Sequence, residues 1–331
     1  MIEDFFKKLC ELYDFKEAKI QKINIVSTNK IYRINCKKGT FLVKQINKFT
    51  GFDHKTILAQ IEITNHLKKK NVKTIQPIKN IHGEQLTKIH EEYFLVYKYY
   101  ELDDYEKFTE EEMDIAIEEL SKFHNAMKTF KFKENKPLIE PLERNIDSIT
   151  AFTEIPFSYR ADSIINLCIK NKNKLGKKIL KEAPLIKETI IRIIHLTWNK
   201  FKGKKSILHY DFSPDNIFFS KKEFLAISDF DFSHRGYVEV DVVKAARFWA
   251  TRKDNSLDII RFKRFIYQYN KFNKISMRWD FYYGILLWIV LRRLIYAIDY
   301  TITNKAKLEF LIEKDLKTIK FLMNNKNQLI A

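Results

Sequence analysis

The sequence predicts an α+β fold with a small β-rich N-terminal part and a large, mainly helical C-terminal part. Three observations carry that expectation. Short apolar runs between Ile23 and Ile46, and again from Tyr93 to Tyr99, have the length and alternation of strands. From Thr109 onward, helical periods dominate. One polar loop interrupts them, Ile207-Leu208-His209-Tyr210-Asp211-Phe212-Ser213-Pro214-Asp215-Asn216, followed by Ile227-Ser228-Asp229-Phe230-Asp231.

Taken in order, residues 2 to 14 read as an amphipathic helix with Phe5, Phe6, Leu9 and Leu12 or Tyr13 along one side. Three strands are expected at Ile23 to Val26, Ile31 to Asn35 and Thr40 to Ile46, with Lys37-Lys38-Gly39 turning the last pair. Asp53 is placed to cap a helix running to about Lys70. Residues 71 to 90 read as a loop with a strand near Ile75 to Ile78 and a turn at Gly83. Tyr93 to Tyr99 is a strong strand that runs into the polar connector Glu101-Leu102-Asp103-Asp104. The domain boundary is expected there, dividing the chain into parts over 1–98 and 99–331.

Thr109 and Glu112 form a capping box for a helix reaching about Lys128, with His124 read as a core-edge histidine. Residues 130 to 160, with Pro137, Pro141 and Pro156, read as a connector, and helices are expected at about 160 to 172 and 183 to 201. Asp241 heads a further helix through Trp249, either as its cap or as a buried brace for the polar loop.

With 331 residues, 45% of them apolar, the chain is long enough for about two domains with a sizeable core. Its net charge of +18 suits an anionic partner, although with Lys, Asn and Ile abundant throughout the chain most of the excess reads as compositional drift. The lysines are scattered and no nucleic-acid-binding motif is present, so no nucleic-acid partner is expected. Cys10, Cys36 and Cys168 offer neither a disulfide framework nor a metal pair, which makes a reducing, cytoplasmic setting the expectation. The N-terminus does not read as a signal peptide. The apolar run Phe281 to Leu291, closed by Arg292 and Arg293, is too short for a transmembrane segment and predicts a buried helix.

The chemistry concentrates around the polar loop. Ile217-Phe218-Phe219 and Phe224-Leu225-Ala226-Ile227 read as a hairpin that returns the chain to its start, bringing Asn216 and Asp229 together. An Asn and an Asp on magnesium, with Asp211 left to position a hydroxyl, are the parts phosphoryl transfer needs. The alternative is an ordinary buried turn with charged rims. Lys44 ends an apolar strand and, taken alone, is an ordinary solvated lysine. Glu62, 18 residues further on in the expected helix, completes the layout of a Lys–Glu pair that serves ATP phosphates.

These residues resemble the aminoglycoside phosphotransferase and choline kinase superfamily, with a bilobal protein-kinase-like fold, and most closely its CotS-type spore-coat branch. The likeness runs from about Ile23 to Trp249. It rests on Leu208-His209-Tyr210-Asp211 with Asn216, and on Ile227-Ser228-Asp229-Phe230-Asp231 with Asp241 downstream. Thr28-Asn29-Lys30-Ile31-Tyr32-Arg33, Val43-Lys44 and Leu120 to His124 support it.

The resemblance implies ATP, magnesium and transfer to a small-molecule hydroxyl. Asp211 would act on the hydroxyl proton, Asn216 and Asp229 on the metal, and Lys44 with Glu62 on the phosphates. Ser27 and Thr28 would face phosphate, and the adenine would lie near Lys98 and Tyr100 by position. A sugar or envelope-derived acceptor fits the basic stretch from Asp241 to Arg293, which carries 12 Lys or Arg against 4 Asp. Spore-coat proteins and a spore-coat location are further implied partners and places. The segment Val26-Ser27-Thr28-Asn29-Lys30 contains no Gly, and Tyr210 stands where the family usually has Gly.

Overall fold

A computed structural model describes residues 2–23, 29–46, 54–132, 162, 165–170, 174–197, 205–303 and 307–331. The elements begin with α1 (Ile2–Tyr13), β1 (Lys19–Ile23), β2 (Lys30–Cys36), β3 (Gly39–Gln45), α2 (His54–Lys69), β4 (Thr87–Ile89) and β5 (Glu92–Lys98). They continue with α3 (Glu110–Met127), α4 (Lys174–Thr197), β6 (Lys205–Leu208), β7 (Ile217–Ser220), β8 (Glu223–Ile227) and β9 (His234–Tyr237). The chain ends with α5 (Val238–Trp249), α6 (Ile259–Phe272), α7 (Trp279–Ile302), α8 (Glu309–Asn324) and α9 (Lys326–Ile330). Two compact units result. The first contains Met1–Glu112, Asn125–Glu140 and Pro214–Ser233; the second contains Met113–His124, Pro141–Ser213 and His234–Ala331.

In the first unit, five strands form an antiparallel sheet in the order β1-β2-β3-β5-β4. Side chains alternate between its faces, as the pleat requires. Val43, Phe94 and Val96 join Leu9 and Tyr13 of α1 in one core. On the opposite face Leu95 packs with Ile57 and Ile61 of α2. Lys44 follows Val43 and therefore shares the α2 face with Leu42, Leu95 and Tyr97. A lone charge at the end of an apolar strand is thus aimed by the period of the strand itself.

Several boundaries differ from the sequence expectation. The first strand is Lys19–Ile23, not Ile23 to Val26. It is an edge strand whose mostly polar residues need only one apolar face, so apolar density is a poor guide to it. Residues 24–28 and Asp53 lie outside the described residues. Ile75 to Ile78 is not a strand: Thr74 makes a single parallel bridge to Ile227, and Pro77 supplies no N–H for a ladder. The capping box at Thr109 and Glu112 forms as expected. Helix α4 begins at Lys174 and continues through Pro184.

In the second unit, α7 is the buried axis, packed against α4, α5, α8 and α9. It runs 24 residues and passes through Arg292 and Arg293 instead of stopping before them. Arg293 is neutralised by two hydrogen bonds to Asp315 of α8, at 2.8 and 2.5 Å, so the helix can carry it. By length and composition alone α7 could cross a membrane. Its most apolar window is 83% buried inside the protein, as in a core helix. Strands β6 and β9 pair antiparallel at the base of the polar loop, with Leu208 opposite His234.

Candidate active site

The hairpin of β7 and β8 sets the first group of polar residues. Its register puts Ile217 opposite Ile227, so Asn216 and Ser228 are adjacent across it. The Ser228 amide and hydroxyl both donate to the Asn216 carbonyl, at 2.9 and 3.0 Å. The hairpin turn has positive φ at Lys221 and Lys222. Their amides donate to the Asp103 carboxylate at 3.0 and 2.6 Å, which offsets the strain and ties the polar connector to the hairpin. Ile227 exchanges backbone bonds with Lys73 and Ile75, both at 3.0 Å.

These constraints build a cavity of about 460 Å³ within the first unit. Lys44, Lys98, Tyr100, Asn216 and Asp229 all line it. Its apolar wall comes from Ile31, Leu42, Leu95 and Phe218. A mostly apolar slot with a few polar groups at one end suits a flat heteroaromatic ring carrying an anionic tail.

At the polar end, the Lys44 ammonium pairs with Asp231 at 2.7 Å and Asp229 at 3.2 Å. The Lys44 partner expected from the sequence, Glu62, does not enter this pairing. Buried Asp231, which also accepts from Asn29 at 3.1 Å, is delivered directly under β3 by the chain leaving β8. Burial disfavours the Lys44 charge, but Asp231 and then Asp229 more than offset it and raise its pKa, so Lys44 remains an ammonium. Burial pushes the Asp231 carboxyl up to about 6, opposed by Lys44 and reinforced by Asp229.

Asp229 has φ of 54° and is 38% exposed, so it holds a strained backbone with its carboxylate open to solvent. The Asn216 amide oxygen and the Asp229 and Asp231 carboxylates are the hard donors magnesium prefers. Among the described residues no three His, Cys, Asp or Glu side chains form a metal cage. Asn216 and Asp229 would be the residues to hold a magnesium ion here, whose charge would offset that of a bound anion.

The second unit holds the loop that carries Asp211. Asp241 is fully buried on α5 and organises that loop. One of its oxygens accepts from the His209 amide at 2.7 Å and from His124 Nε2 at 3.1 Å; the other accepts from the Tyr210 amide at 2.8 Å. Since a carboxylate only accepts, His124 carries its proton on Nε2, and Nδ1 meets the Tyr269 hydroxyl at 2.8 Å. The Phe212 carbonyl accepts from Trp249 Nε1 at 3.2 Å. Helix α5 starts at Val238, so Asp241 is a brace for the loop and not the helix cap.

Tyr210 adopts φ of 64°, a left-handed conformation natural to Gly and costing a bulky residue about 1–2 kcal/mol. The surroundings hold it there. Its ring lies beneath the Lys244 ammonium at 3.6 Å and against His234 at 4.5 Å, and its hydroxyl accepts from Arg292 at 2.5 Å. Tyr210→Gly relieves the backbone but removes a buried ring, for which aromatic truncations cost about 3–5 kcal/mol. The expected net result is a less stable protein, measurable as a lower urea midpoint at unchanged m.

Of the residues singled out in the sequence, Lys44, Lys98, Tyr100, Asn216 and Asp229 converge on one cavity, while Asp211 belongs to the second unit. Glu62 is on α2, whose Gln60, Ile61 and Thr64 line the cavity. Ser27 and Thr28 lie outside the described residues. Sequence reasoning missed the role of Asp231, for which the Asp229-Phe230-Asp231 spacing was the available signal. It also missed Tyr97, which alternation on β5 places beside Lys44.

Residues 19–272 match the model of the phosphotransferase enzyme family. No curated protein matches the chain. Among solved structures, an amicoumacin kinase in complex with AMP-PNP and Ca2+ is similar at 14% identity and TM-score 0.63, covering 95% of this chain and 93% of its own. A microcompartment-associated aminopropanol kinase has 10% identity and TM-score 0.67, covering 99% and 98%. An aminoglycoside phosphotransferase from Alicyclobacillus acidocaldarius has 11% identity and TM-score 0.63, covering 96% and 94%. With the β-rich sheet, the helical remainder and the Lys44–Asp229 cavity in place, the chain belongs to the phosphotransferase enzyme family and has its kinase-like α+β fold.

Proposed function

We propose that the protein is an ATP-dependent kinase that phosphorylates a hydroxyl of a small molecule, with a sugar or envelope-derived compound as acceptor. The observation that carries this reading is the convergence of Lys44, Lys98, Tyr100, Asn216 and Asp229 on one slot. Adenine occupies its apolar part beside Lys98 and Tyr100. Lys44 neutralises phosphate oxygens, and Asp231 takes over the aiming role that the sequence assigned to Glu62. Asn216 and Asp229 would hold magnesium, which would supply positive charge against the phosphates. Asp211, five residues before Asn216 in the chain, accepts or orients the acceptor hydroxyl proton. Ser27 and Thr28, which lie outside the described residues, are the hydroxyls assigned to phosphate in a segment without Gly.

Binding is tested by thermal denaturation with magnesium-ATP. At a hundredfold excess over Kd, the native state gains about 2.7 kcal/mol, and Lys44→Ala reduces that gain. No stabilisation at millimolar nucleotide would favour the second reading, a catalytically weak or inactive kinase-fold protein of the spore coat. The Gly-free segment 26–30 and the CotS-type likeness favour that second reading. ADP release against a panel of alcohols and sugars identifies the acceptor. A cytoplasmic location, with spore-coat association, completes the proposal.

A further inference from the structure

The second unit gathers cations around the residue that precedes Asp211. Helix α5 contributes Lys244 and Arg247, three apart and so on one face; α7 contributes Arg292 and Arg293. Two of them touch Tyr210 directly: the Lys244 ammonium lies 3.6 Å from the ring centre, and Arg292 donates to the hydroxyl at 2.5 Å.

The carboxylates in this region are largely committed elsewhere. Asp315 takes Arg293 at 2.8 and 2.5 Å and Arg247 at 3.9 Å. Asp241 is occupied by two backbone amides and His124. Among the described residues no carboxylate forms an ion pair with Lys244, whose contacts are the rings of Tyr210 and Phe248. Asp211 attracts it from further away.

The cations also oppose one another. Burial, with repulsion from Arg247 and Arg293, brings Lys244 down to about 8 against the pull of Asp211 and Asp241. Burial and Arg293 bring Arg247 to about 9, and burial brings Arg292 to about 10. Holding like charges together out of water is costly, and an incoming anion relieves that cost. Lys244 and Arg292 each keep some solvent-accessible surface despite that burial. An amine-bearing acceptor would meet charge of its own sign.

We propose that Lys244 and Arg292, on either side of Tyr210, form a seat for an anionic group on the acceptor, making the substrate an alcohol that carries a phosphate or carboxylate. Resting on the kinase reading, this assigns acceptor class to the same site: the anion docks on the seat and the hydroxyl is presented to Asp211. Arg292 supplies a donor fork for a phosphate or carboxylate, and Lys244 a mobile point charge.

The test uses the full chain saturated with AMP-PNP and magnesium, so that added anions cannot occupy the Lys44 cavity. Thermal stabilisation is titrated with glycerol 3-phosphate, ribose 5-phosphate and glycerate, with their neutral parents glycerol and ribose, and with 1-amino-2-propanol. Each anion is expected to bind at least about tenfold more tightly than its parent, the size of one charge-assisted contact. Lys244→Gln and Arg292→Gln are each expected to cut that affinity by about tenfold while leaving AMP-PNP stabilisation unchanged; Arg292→Lys restores part of it. Phosphates binding more tightly than glycerate identifies a phosphorylated acceptor, and the reverse order a hydroxy acid. A neutral or amine compound that binds as tightly as the anions overturns the proposal, as does anion binding that survives both glutamine substitutions. If AMP-PNP itself fails to stabilise the protein, the kinase reading fails separately. Anion titration of the nucleotide-free Lys44→Ala protein then still reads the seat.

Discussion

Asp229→Ala and Asp211→Asn are each expected to lower ATP turnover by at least about a hundredfold while the fold survives. Asp229 is the exposed member of the Lys44 pair, with buried Asp231 retaining the ammonium at 2.7 Å after its loss. Under the proposed function Asp229 would hold the metal, so removing it would take away that carboxylate while leaving the cavity wall in place. Asp229→Asn is the informative companion, because Asn tolerates the left-handed φ of 54° where Ala adds strain. It should match the alanine variant in turnover and exceed it in stability. Asp211→Asn keeps size and hydrogen-bonding reach but removes the carboxylate proposed to accept the hydroxyl proton. ADP release measures the effect, and circular dichroism shows whether the fold persists. Wild-type turnover in either variant overturns the assignment. The double variant should lose less than the product of the single losses, because residues acting in one step are not additive.

Asp241→Ala is expected to cost about 3–5 kcal/mol, the range for breaking a buried ionic network by removing one member. It strands the His209 and Tyr210 amides and the His124 Nε2–H, all inside the second unit. Urea unfolding should show a lower midpoint, and a loss within 0.5 kcal/mol of wild type, about the scatter of surface substitutions, would refute the brace. Asp241 also sets a pH dependence. Burial by itself would raise its pKa, but the His124 hydrogen bond, the charges of His124 and His209 and the His209 amide outweigh burial and lower it. A carboxylate depressed on folding contributes stability that is fully present above its unfolded value of about 3.9 and is lost as the pH falls through the folded value. Asp241→Asn should therefore flatten the acid limb of the stability profile.

Much of the lining of the first unit's cavity was legible because its determinants are local. Strand alternation places Lys44 on the face opposite Val43, and the hairpin brings Asn216 next to Ser228 and Asp229. The capping box at Thr109 announced α3 for the same reason. Elements with little local signal were missed: β4 has three residues, and β9 is the four-residue run His234–Tyr237, specified by pairing with β6. The Arg292-Arg293 pair read as the end of an apolar run because the sequence does not reveal that Asp315 and the Tyr210 hydroxyl receive those charges.

By itself, then, the sequence determined the fold class and the closeness of Asn216 to Asp229 at the open end of one hairpin, since hairpin register spans only a few residues. Tertiary structure alone decided that Asp231 and not Glu62 takes Lys44, that Asp241 braces the loop, that Tyr210 is held at positive φ, and that cations surround it. Those outcomes depend on which charges are brought together out of water, and desolvation is set by packing between residues far apart in the chain.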